Sequence, residues 1–270
     1  MECIVKKGSI YYESFGEGTP IIILHSMGTD HQSMKPWIEP IFKSSVGFQR
    51  IYVDLPAHGR SSIDKSVKSS DDMLLNLLDF IDKVIPSQDF LLIGFSFGGY
   101  LAQGIMHYKQ ERVKGICLLA PPIHLKDRKL PRKVILEADM DLLNQLDIDK
   151  RTAFETLFVF QNQKNFDRFL EEIQPGRLLA NRTFLASNWR ENGYLLSEEP
   201  FSNVLTLSQP ALFILGKQDS ICGYSDHLVL LEKFLNSSFV VLDQAGHMMQ
   251  IERRTLVQAL LTDWISRCNT

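Results

Sequence analysis

Cysteine is scarce in this chain of 270 residues: there are four, Cys3, Cys117, Cys222 and Cys268, and none is in Cys-x-x-Cys spacing. That scatter excludes a disulfide framework and a zinc ribbon, and it reads as reduced thiols, with Cys117 as buried filler in an apolar run. Long hydrophobic runs are also missing, since no stretch approaches the ~18 apolar residues of a membrane span. The opening residues MECIVKKGS lack a basic region followed by an apolar one. A cytoplasmic location is therefore expected, with no membrane partner. Charge of one sign is absent too: the net charge of −3 offers no field for nucleic acid. A small-molecule substrate is the expected partner, and the oligomeric state is left open. Internal repeats and low-complexity linkers are not found.

What is present is an ordinary globular composition, 44% hydrophobic and 23% charged, enough for one large domain with an inserted subdomain. Short branched apolar runs recur at Ile21–Leu24, Ile51–Val53, Phe90–Ile93, Val113–Leu119, Ala211–Leu215 and Phe239–Leu242. Runs of this kind, buried on both faces, are parallel strands. Between them, Met73–Ile85, Tyr100–Tyr108, Leu228–Phe234 and Leu256–Ile265 carry apolar residues at helical spacing. Strand-helix alternation predicts an α/β fold with a doubly wound, mostly parallel sheet, and the segment IVKKGSIYYESFGEG predicts an antiparallel hairpin at its edge. The rhythm breaks between Pro122 and Val204, where only helical patterns occur, such as Val134–Leu146 and Ala153–Phe160. The expected organisation is a core of residues 1–121 and 205–270 with a helical cap, 122–204, inserted after the sixth strand.

The stretch DFLLIGFSFGGYLAQG places Ser96 at the centre of a G-x-S-x-G pattern where a strand meets a helix. A sharp strand-to-helix turn strains the serine backbone and lifts its hydroxyl above the sheet edge, while Gly94 and Gly98 permit close approach. The amide of Phe97, first in the helix, then points where an oxyanion would form. A serine nucleophile needs a base and an acid. Asp219 follows the strand ALFIL in GKQD, and His247 follows FVVL in QAGH. Both stand at carboxyl ends of strands, where open α/β sheets carry their sites, and the order Ser96, Asp219, His247 is that of this fold's triad.

With LHSMG at 24–28, DLPAHGRSS at 54–62, GFSFGG, GKQD and QAGH in place, the chain resembles the α/β-hydrolase superfamily over nearly its whole length. The resemblance implies a capped serine hydrolase that cleaves a small carboxylic ester or related acyl compound through an acyl-enzyme, without metal or organic cofactor. Carbon–carbon bond hydrolysis, peptidase activity and a slow-turnover ligand-binding member are the alternatives. Serine rather than aspartate at position 96 argues against epoxide hydrolase and haloalkane dehalogenase chemistry. The resemblance also assigns the second oxyanion amide to Met27. The family usually carries His-Gly where this chain has His25-Ser26, and Gly in place of Ala57, so Ser26 either reshapes the oxyanion hole or adds a hydroxyl donor.

Asp243 is expected to brace the histidine loop, Asp54 to anchor its own loop, and Glu252 to support the histidine loop from the last helix. His25 and His58 are read as loop-orienting, and His31, His107, His124 and His227 as surface or cap residues; no histidine has metal-ligand spacing along a helix. In the insertion, Phe154, Leu157, Phe158 and Gln161 lie at helical spacing. That stripe is either cap core or also the wall of an apolar acyl pocket, as is Trp189. Ser26, Phe154 and Phe158 are the candidate substrate-binding residues.

Overall fold

A computed structural model describes residues 1–43 and 46–268. The strands in chain order are β1 (Glu2–Val5), β2 (Gly8–Phe15), β3 (Thr19–Leu24), β4 (Phe48–Val53), β5 (Ser62–Ile63), β6 (Phe90–Phe95), β7 (Val113–Leu119), β8 (Glu137–Ala138), β9 (Phe160–Gln161), β10 (Ala211–Gly216) and β11 (Ser237–Leu242). Nine of them form one sheet, ordered β1-β2-β4-β3-β6-β7-β10-β11, with β5 paired to β2. The β1–β2 hairpin is antiparallel and runs antiparallel to β4, and the six strands from β4 to β11 along that order are parallel. The hairpin is at the edge, as its alternating pattern predicts. The central strands are buried throughout, β6 and β10 at every position, because helices cover both faces.

On one face, α2 (Ser70–Val84) and α3 (Phe97–Tyr108) pack with Leu77, Phe80, Leu101 and Ile105 in one apolar cluster. On the other, α1 (Lys35–Ile38) and α12 (Arg254–Cys268) contribute Trp37, Val257, Leu261 and Trp264 to a second. The α12 residues recur at helical spacing, so one stripe faces the sheet. Its Trp264 Nε1 also donates to Pro210 O at 3.0 Å, which satisfies the one polar atom of a fully buried ring. No described helix is long and apolar enough to cross a membrane.

The region between β7 and β10 holds α4 (Met140–Gln145), α5 (Ile148–Leu157), α6 (Gln163–Arg168), α7 (Gln174–Leu179), α8 (Arg182–Leu185) and α9 (Trp189–Gly193). It leaves the sheet after the seventh strand in chain order, not the sixth, because Ser62–Ile63 forms the short β5 that no apolar run announces. Nor is it purely helical: β8 and β9 pair in parallel. The helix expected over 134–146 forms only from Met140. Val134, Ile135 and Leu136 are about two-fifths exposed, so no burial rewards helix formation there, and Asp139 caps the helix start by accepting from Leu142 N at 3.0 Å. Likewise α5 starts at an Asp147 cap and stops at Leu157, where the backbone turns extended towards β9. Towards the carboxyl end, the pattern over 228–234 resolves into a single 3₁₀ turn, Ser225–Leu228, followed by α10 (Val229–Lys233), and the short α11 (Met249–Glu252) precedes α12.

Candidate active site

β3 and β6 are neighbours, and the turns at their carboxyl ends meet. Ser96, between β6 and α3, takes φ 51° and ψ −121°, a conformation that a non-glycine residue holds only under constraint. The constraint comes from both sides: Ser96 N donates to Leu119 O at 2.8 Å, and Tyr100 N donates to Ser96 O at 3.0 Å. The flanking glycines are there for space. A Cβ on Gly94 would come within 2.6 Å of Gly99 Cα, and one on Gly98 within 2.4 Å of His25 O. The helix is thereby drawn against the loop after β3.

That loop is held by a neutral histidine. His25 is fully buried, and burial together with the nearby His58 pushes its imidazole down to about 3. Its Nδ1 donates to Ser26 O at 2.7 Å, and its Nε2 accepts from Leu55 N at 2.9 Å. The Ser26–Met27 turn is fixed in this way beside Ser96. The Ser26 hydroxyl pairs with Thr29 Oγ1 at 3.2 Å, so it is engaged within its own turn. Neither the Phe97 nor the Met27 amide has an acceptor among the described residues. Both residues border the same cavity as Ser96 and Ser26.

His247 and Asp219 arrive from the turns after β11 and β10. His247 Nε2 is 3.0 Å from Ser96 Oγ, and its Nδ1 is 2.9 Å from Asp219 Oδ2. The other carboxylate oxygen of Asp219 accepts from Ile221 N at 2.8 Å and Cys222 N at 3.1 Å. Burial alone would raise the Asp219 carboxyl, but His247 and these donors hold it below its ordinary value. Burial likewise disfavours an imidazolium at His247, yet the Asp219 carboxylate, with Cys222 beside it, outweighs that and the net direction is upward.

The supporting residues divide. Glu252 accepts from Gly246 N at 2.8 Å and Val159 N at 2.8 Å, tying the histidine loop to the inserted region from α11 rather than from the last helix. Asp243 accepts from Gln218 Nε2 at 3.0 Å, and Gln218 Oε1 accepts from Ala245 N, so that acid braces the loop and does not reach the imidazole. Asp226 accepts from Lys129 N. Asp54 anchors its loop through His31 Nδ1 at 2.7 Å and Arg60 N at 2.8 Å. His31 and His227 are buried, not surface residues as their sequence context suggests: one pairs with Asp54, and the other donates from Nε2 to Pro121 O. Asp219, Cys222 and His247 each bring a potential ligand atom within 4.8 Å of one another, but the Asp219 carboxylate is already committed to His247 and two amides.

The cavity over Ser96 measures about 680 Å³. Phe154 and Phe158 do not border it. They are at most 1% exposed and pack with Phe166 and Phe169, ring centroids 4.7 to 6.1 Å apart. The face of α5 that borders the cavity carries Thr152, Ala153, Thr156 and Leu157 instead. Helical spacing identifies a stripe, but only docking decides which way it faces. Trp189 is also packing, 5.9 Å from the Phe97 ring and stacked on Phe184. Phe154→Ala is therefore expected to cost about 3–5 kcal/mol of stability in a denaturant titration, and to leave the ranking of acyl-chain lengths in an ester series as it is. Among the cavity residues that no motif points to are Arg128, Asp149, Arg177, Arg190, Tyr194 and Cys222. All but Cys222 lie in the insertion, and none has a local pattern to announce it.

A family model described as "alpha/beta hydrolase fold" matches residues 19–254. A protein of Legionella pneumophila (strain Corby) named pimeloyl-[acyl-carrier protein] methyl ester esterase is 24% identical over 259 residues, 95% of this chain and 99% of that one. Among solved structures, an alpha/beta superfamily hydrolase from Oenococcus oeni PSU-1 superimposes with a TM-score of 0.87 at 30% identity, covering 100% of both chains. A thermophilic esterase from Thermogutta terrifontis matches in fold, with a TM-score of 0.75 at 18% identity over 100% of both chains.

Proposed function

The chain belongs to the alpha/beta hydrolase fold family, and from that premise we propose that it hydrolyses small carboxylic esters through Ser96, His247 and Asp219. The observation that carries this reading is the continuous relay from Ser96 Oγ through His247 to Asp219 Oδ2, with links of 3.0 and 2.9 Å, opening on a cavity. Ester-cleaving relatives such as the Legionella protein support the bond type.

In this mechanism His247 Nε2 takes the proton of Ser96 as the hydroxyl oxygen attacks the ester carbonyl. Asp219 holds Nδ1–H, fixes the tautomer and stabilises the imidazolium that forms. The carbonyl oxygen, now an oxyanion, is received by the Phe97 and Met27 amides, each such donor contributing about 3 kcal/mol to the transition state. The alcohol leaves with the proton from His247, and water repeats the sequence on the acyl-enzyme. Residues 122–204 act as the cap: α5, α7 and α9 contribute walls of the cavity while the oxyanion donors stay on the core.

The test is a panel of p-nitrophenyl esters with purified protein. A burst of p-nitrophenol stoichiometric with enzyme, then steady turnover unaffected by EDTA, is the expected result. Folded protein that cleaves no member of the panel, or a rate that chelation removes and zinc restores, would overturn the mechanism.

A further inference from the structure

The cavity is unbalanced in charge. Arg128, Arg177 and Arg190 line it, against Asp149 as the one carboxylate among its lining residues. Arg177 is spoken for: its guanidinium pairs with Asp149 Oδ1 at 3.2 Å, donates to Gln174 Oε1 at 2.6 Å and sits over the Phe169 ring. The other two have no carboxylate partner among the described residues. Arg190 reaches only the sulfur of Met27, a weak acceptor, and lies 5.9 Å from the Trp189 ring. Arg128 is more telling. Its Nη1 is covered by protein and has no hydrogen-bond partner, and the residue lines the cavity with its charge unpaired among the described residues. The nearby acid, Asp226, is used on the backbone, accepting from Lys129 N at 2.6 Å, and so fixes the loop that carries Arg128 without neutralising it. Arg128, Arg190 and the buried Tyr194 all line this one cavity together with Ser96.

A guanidinium is matched by planar or tetrahedral oxyanions, which accept two parallel N–H bonds. We propose that the cavity selects acyl compounds bearing a second, anionic group, a carboxylate or a phosphate, clamped by Arg128 and Arg190 while the ester carbonyl rests at Ser96. The inference rests on the hydrolase reading above and deepens it. A neutral ester leaves the excess of positive charge along the cavity in place; an anionic one neutralises it.

Binding is measured by calorimetry on Ser96→Ala, so that no turnover is needed. One arm compares monomethyl adipate with dimethyl adipate; the other compares 1-acetylglycerol 3-phosphate with 1-acetylglycerol. The anionic member of at least one pair is expected to bind tenfold or more tightly, the scale of about one charge-assisted hydrogen bond, and the arm that responds identifies carboxylate or phosphate. Adding Arg128→Gln or Arg190→Gln should collapse that ratio. Equal affinities in both arms, or a preference that survives both arginine variants, overturns the clamp. Wild-type turnover of esters without selectivity removes this proposal alone. Selective binding by a protein that turns over no ester removes the hydrolase reading and leaves the clamp standing.

Discussion

Ser96→Ala is expected to lose all labelling by a fluorophosphonate probe and to lower ester turnover by several powers of ten, the largest single effect in the molecule. The strain at this residue, φ 51°, is a property of the turn, which Leu119 O and the helix hold from both sides. The alanine variant keeps the same Cβ, so the fold should be unaffected and the loss chemical. What remains after the hydroxyl is gone is the contribution of the two unspent amides and of substrate binding. Near-wild-type turnover, or probe labelling that persists in the variant, would assign the nucleophile to another side chain.

Asp219→Asn is expected to lower kcat by about 10⁴-fold with the fold intact, because an amide can stabilise the wrong imidazole tautomer. The pH profile should move with it. His247 must be neutral to act as base, so the rate rises with pH through its pKa. The buried Asp219 carboxylate raises that pKa, placing the acid limb of kcat/KM on the alkaline side of the ordinary imidazole value. Removing the carboxylate leaves desolvation opposed only by the neighbouring Cys222, and the residual activity should show an acid limb displaced to lower pH. Asp243→Asn, whose carboxylate touches Gln218 and Lys217 but not the imidazole, should leave the limb where it is. A limb that stays put in Asp219→Asn, or moves in Asp243→Asn, would reassign the acid.

How the site was legible differs from residue to residue, for physical reasons. Ser96 is readable because the elbow is a local device: a buried strand, two glycines that must be glycines because His25 O and Gly99 Cα lie within 2.4 to 2.6 Å of any added Cβ, and a helix start. Asp219 and His247 are readable because strands β10 and β11 are continuous apolar runs and sites form at their carboxyl ends. Glu252 and Asp243 are legible as loop supports, since each lies within a turn or two of the histidine it steadies. His31 and His227 are not, because a buried histidine looks the same in sequence as an exposed one until its acceptor, Asp54 or Pro121 O, is known.

By itself, then, the sequence determined the parallel sheet, the edge hairpin and the order of the three polar residues above the sheet. Each of these is encoded over a few neighbouring positions, in alternation, in helical spacing or in steric demands on glycine. Only the tertiary structure decided what the cavity is made of. Phe154 and the Thr152–Thr156 face belong to one helix and differ by a rotation about its axis, and that rotation is set by where α5 docks. Arg128, Arg177 and Arg190 come from segments far apart in the chain, and whether a guanidinium is neutralised depends on which carboxylate folding brings beside it: Asp149 for Arg177, and none among the described residues for Arg128.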